Sequence, residues 1–92
     1  MKDFINAIKK EIESDFLKSD SILNERLTVG VNNELFSCDV KFRRLEEVEI
    51  YDISNIECEY SESEEISDYE VNLKYYFNNL DRYSDNLLVN TI

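Results

Sequence analysis

Residues Leu27–Arg44 read LTVGVNNELFSCDVKFRR, and their alternation decides the fold. Leu27, Val29 and Val31 share one parity, with Thr28 and Gly30 between them. Phe36, Cys38, Val40 and Phe42 resume the pattern against Ser37, Asp39, Lys41 and Arg43. A period of two puts each set on its own face of a strand. The VNNEL segment between the runs turns the chain, because Asn tolerates left-handed backbone angles. The two runs therefore form a β-hairpin with one apolar face.

Upstream, Phe4, Ile5, Ile8, Ile12 and Phe16 recur at spacings of three and four, and Asp3 can cap. Lys9, Lys10, Glu11 and Glu13 occupy the other side. This spacing predicts an amphipathic helix over 3–18, long enough to cover the hairpin's apolar face. Downstream, RRLEE makes a bend and VEIYDISNIECEYS is a third strand. Val48 and Ile50 share one parity, as do Ile56, Cys58 and Tyr60; Ile53 has the other. A bulge or break is expected near Asp52–Asn55.

The segment 67–77 supports two readings. Tyr69, Val71, Leu73, Tyr75 and Phe77 alternate, whereas Tyr69, Leu73, Tyr76, Phe77, Leu80 and Tyr83 fit a helix. Tyr, Val and Phe favour strand by propensity, so a fourth strand is the expectation, with a short helix over 78–88. The fold class is then α+β. An N-terminal amphipathic helix packs on a three- or four-stranded antiparallel sheet, with a possible short C-terminal helix.

At 92 residues the chain makes a single domain, 1–92. A hydrophobic content of 42% belongs to a folded protein rather than a disordered one. No apolar run is long enough to span a membrane, and the N-terminus lacks the apolar core of a secretion signal. The abundance of Asn, Ile, Lys, Asp and Glu suits an AT-rich genome. The expected location is the cytoplasm of a bacterial host.

The net charge of −11 is confined to one place. Residues 45–73 hold eleven of the 21 acids and no Lys or Arg; the other ten acids are matched by ten bases. Paired as antiparallel strands, 56–60 and 67–73 turn Glu57, Glu59, Asp68 and Glu70 to one outer face. Glu62, Glu64 and Glu65 crown the loop between them. Same-face residues stand about 6.6–7 Å apart. That is comparable in density to phosphates at ~3.4 Å along one strand of a duplex. A basic groove would attract such a face, steering the encounter at range and orienting it by Arg–carboxylate pairs. Tyr60, Tyr69 and Tyr76 supply either apolar anchors for a partner or core.

Catalysis has little to stand on, and no enzyme is expected. There is no His for general-base work or to activate Cys38 or Cys58. Both Cys fall on apolar parity, where they are core residues, and could face each other across strands. No zinc ligand set exists, and the single Gly30 is far from the acids, so no EF-hand loop and no cofactor are expected. The KFRR run at 41–44 is too small a footprint for nucleic acid. SESEE at 61–65 could also be a site for an acidophilic kinase.

The stretch FINAIKKEI, a strand ending in VNN and the run SESEE together resemble small acidic anti-CRISPR proteins of phages and prophages. The likeness covers about the first 65 residues. It implies a partner in a Cas effector nuclease, with Glu57, Glu59, Glu62, Glu64, Glu65, Asp68 and Glu70 paired to its Arg and Lys. The expected function is thus a non-enzymatic inhibitor that imitates nucleic-acid charge, a phage anti-defence protein. The alternatives are an immunity protein for a nuclease toxin and a structural or assembly protein that forms oligomers.

Overall fold

The computed structural model describes residues 2–62 and 65–79. Five elements follow in order: α1 (Lys2–Asp15), β1 (Ile22–Val31), β2 (Glu34–Arg44), β3 (Val48–Ser61) and α2 (Asp68–Asn78). The strands form one antiparallel sheet in the order β1-β2-β3. Both helices cover one face of it, and the other face meets solvent. The fold is α+β, as the alternation and the 3.6-residue period predict.

The β1–β2 hairpin is regular. Ten residue pairs run from Ile22↔Arg43 to Val31↔Glu34 without a shift. Asn32 and Asn33 alone join the strands, with φ of 54° and 63°. Two left-handed residues in a two-residue loop make a type I′ turn, whose twist matches that of the strands. Leu27, Val29 and Val31 are buried beside Phe36, Cys38, Val40 and Phe42.

α1 lays Phe4, Ile5, Ile8 and Ile12 on this face. The ring centroids of Phe4 and Phe36 are 6.0 Å apart in an edge-to-face arrangement. The helix ends at Asp15, short of the expected 18. The reason lies at the sheet: the Ser19 amide donates to the Arg44 carbonyl at 2.7 Å, and Lys18 reaches Glu46. These contacts draw the chain out of the helix toward the far end of β2. Phe16 still packs, its ring 5.0 Å from that of Phe42.

β3 is the irregular strand. Its fourteen residues face the eleven of β2, and the register shifts three times. The extra residues are Tyr51, one of Asn55 and Ile56, and Glu59. The first two insertions flank the expected break. Asn55 takes a left-handed φ of 52° and donates through Nδ2 to Asp39 at 2.8 Å. Each insertion flips the parity that follows, so Val48, Ile50 and Ile53 all face inward.

Residues 67–77 are not a fourth strand. Asp68–Asn78 is helical, with Ser67 as N-cap: its Oγ accepts from the Glu70 amide at 3.1 Å. Leu73 and Phe77 are buried, and the Phe77 ring meets Phe4 at 5.9 Å. Val71 and Tyr75, inward in the strand reading, are exposed. An isolated fourth strand would have placed Val71, Leu73 and Tyr75 on one face; the helix buries Leu73 and Phe77 with half-buried Tyr69 and Tyr76 instead. The expected helix over 78–88 lies almost wholly outside the described residues.

Candidate partner-binding face

The outer face of the sheet is a ladder of paired charges. Arg26 on β1 meets Asp39 on β2 at 3.1 Å and Glu57 on β3 at 3.4 Å, and also donates to the Asn55 carbonyl. Arg43 holds Glu49 through Nε and Nη2 at 2.8 and 2.6 Å. Lys41 stands opposite Asp52. Hydrogen bonds from Asn55 and Arg26 hold the Asp39 carboxyl below its usual pKa. Cross-strand pairs of opposite sign stabilise a sheet, and here they also neutralise its open face.

The seven predicted acids do not form one outward array. Glu57 is exposed on β3, but Arg26 offsets its charge. Glu59 is the third inserted residue, exposed at the sheet edge. Glu62 and Glu65 are exposed in the loop, and Asp68 is exposed in the first turn of α2. Glu64 lies outside the described residues. Glu70 is a correction: the helix turns it inward, where it is buried and bonds to Lys74 at 3.5 Å. The spacing comparison with phosphates falls with the strand that carried it.

Tyr60 does not keep the inner face that its shared parity with Ile56 and Cys58 predicts. The insertion at Glu59 rotates it to the outer face, opposite Leu35 and 56% exposed. Ser61 takes the inner position instead and donates to buried Glu34 at 3.1 Å. Tyr69 and Tyr76 pack against the core. Sequence reasoning had missed Glu34 and Glu70 as inner residues. The signal for Glu70 was in SDYE, 67–70: Ser followed three residues later by Glu before apolar positions is the capping-box pattern of a helix start.

The two thiols are far from nucleophilic. Burial pushes Cys38 up to about 12. Burial, with a bond to Glu70, also raises Cys58. The register puts Cys58 opposite Phe36 and Cys38 opposite Leu27, so the two do not face each other, and both are free. Among the described residues no group of His, Cys, Asp and Glu could hold a metal ion, and no helix is long and apolar enough to cross a membrane.

What remains is an acidic corner. Glu59, Glu62, Glu65 and Asp68 follow the end of β3 into the start of α2, all exposed. A shallow cleft of about 260 Å³ opens beside them, with Asn32, Glu34, Ser61, Glu62 and Tyr69 in its wall. No family model, no curated protein and no solved structure matches the chain.

Proposed function

We propose that the protein is a non-enzymatic inhibitor whose acidic corner engages a basic surface of a nucleic-acid-binding protein. The observation that carries this reading is the succession of exposed acids at the β3–α2 corner, Glu59, Glu62, Glu65 and Asp68. On the sheet face, Asp39, Glu49 and Glu57 are matched by arginines. The corner lies in a stretch of sequence, 45–73, that holds eleven acids and no Lys or Arg. Concentrated like charge destabilises a compact chain, and a basic partner offsets that repulsion. A Lys- and Arg-lined groove that normally holds nucleic acid has the complementary chemistry. A CRISPR effector nuclease is one such partner, in keeping with the resemblance of FINAIKKEI, VNN and SESEE to anti-CRISPR proteins.

The contact set differs from a flat phosphate-like ladder. Glu59, Glu62, Glu65 and Asp68 carry it, with Glu64 continuing the run in sequence. Glu57 contributes only after release from Arg26, and Glu70 serves the fold. The test is capture of nucleic-acid-binding proteins from a bacterial lysate on the immobilised chain, eluted with rising salt and with competing DNA. Capture should weaken steeply with salt and be lost in a Glu59, Glu62, Glu65 and Asp68 to Lys quadruple variant that keeps its circular dichroism. An unchanged captured set from that variant overturns the reading.

A further inference from the structure

We propose that β1 is an assembly edge, at which a second copy of this chain adds its own β1 antiparallel to build a six-stranded sheet. β1 and β3 are the two edges of the sheet. They are treated differently. β3 carries three insertions that break its line, a device that discourages strand addition. β1 has no insertion along ten residues.

The direction of its hydrogen-bonding groups follows from the hairpin. In a two-residue hairpin the pair beside the turn, here Val31 and Glu34, exchanges main-chain hydrogen bonds, and the pattern alternates from there. Leu27, Val29 and Val31 therefore bond to β2. The N–H and C=O groups of Asn24, Arg26, Thr28 and Gly30 point to the open edge. Among the described residues no hydrogen bond from elsewhere reaches them.

Charge selects the occupant. β1 itself holds one acid and one base, Glu25 and Arg26, and is neutral. A two-fold register centred on Leu27 sets Arg26 against Thr28, Asn24 against Gly30 and Glu25 against Val29 of the second copy. No like charges stand directly opposed. Shifting the centre to Glu25 or Arg26 opposes two carboxylates or two guanidiniums, which disfavours those registers. The Leu27-centred pairing forms about eight main-chain hydrogen bonds. It leaves the two β3 strands five spacings apart, about 24 Å. That exceeds the roughly 8 Å screening length of physiological salt, so the acidic corners do not oppose it. A sheet assembled this way presents both corners at its outer ends.

The experiment is molar mass by light scattering over a dilution series, with Asn24→Pro and Asn24→Ala variants. Proline removes an edge-facing N–H without touching the β1–β2 ladder. The wild type should approach twice the 11.0 kDa chain mass. Asn24→Ala should match it, and Asn24→Pro should weaken pairing about thirtyfold by removing one bond in each half. A single-chain mass at every concentration overturns the proposal, as does a double mass that Asn24→Pro leaves intact. Should the proline variant not fold, amide exchange of the wild type decides. The Asn24, Arg26, Thr28 and Gly30 amides should exchange slowly in concentrated samples and fast in dilute ones; rates independent of concentration refute the edge.

Discussion

The two hairpins share β2 and part company on either side of it. β1 follows β2 through ten pairs in step, whereas β3 needs three extra residues to cover the same strand. The regular hairpin keeps its apolar parity from Leu27 to Val31. The bulged one keeps its inner face filled only by changing parity at each insertion. The difference teaches where side chains are re-aimed. Insertions on β3 put Tyr60 in solvent, bring Asn55 to Asp39, and set Glu59 at the rim.

The largest expected effect comes from the strand both hairpins share. Phe36 is fully buried and its ring meets those of Phe4 and Tyr69. Phe36→Ala should cost about 3–5 kcal/mol of stability, measured by urea unfolding, through lost burial and the cavity left behind. A loss below about 1 kcal/mol would mean the core closes around the gap and the sheet is less tightly specified than its burial implies.

A pair of asparagines then compares the hairpins directly. Asn33 and Asn55 both adopt left-handed angles, one in the turn and one in a bulge. Asn33→Gly should raise stability by about 0.5 kcal/mol, since Gly meets no steric cost there. Asn55→Gly should instead lower it by about 0.5–1.5 kcal/mol, because the bond to Asp39 is lost and backbone strain is not the issue. Asn55→Ala should be worse than Asn55→Gly by about 1 kcal/mol, the left-handed cost of a β-carbon. Equal responses at 33 and 55 would show the bulge to be an ordinary turn.

The smallest effect is on the charge ladder between the hairpins. The folded state depresses the Asp39 pKa, through Asn55 first and Arg26 next. Its contribution is present above the unfolded value of about 3.9 and is lost as pH falls through the folded value. Unfolding midpoints of wild type and Asp39→Asn should therefore differ at pH 7 and draw together below about pH 4. A difference that stays constant with pH would assign the effect of Asn to packing rather than ionisation.

Much was legible from local pattern alone. The alternation of 27–44 and the Asn-Asn turn specify the first hairpin, because a strand's side chains alternate by covalent geometry. The spacing of Phe4 to Ile12 specifies α1 for the same kind of reason. The confinement of the acidic excess to 45–73 is a property of the sequence itself.

Three decisions needed the third dimension. Residues 69–77 satisfy both periods; the Ser67 cap and the burial of Leu73 and Phe77 against α1 settle them as helix. The insertion at Glu59 has no compositional mark, since a bulge is defined by the partner strand it fails to match. Whether an acid is free or neutralised depends on residues distant in sequence: Arg26 reaches Glu57 across two strands, and the helix turn carries Glu70 inside. Parity assigns a side chain to a face, but pairing and register decide what that face contains.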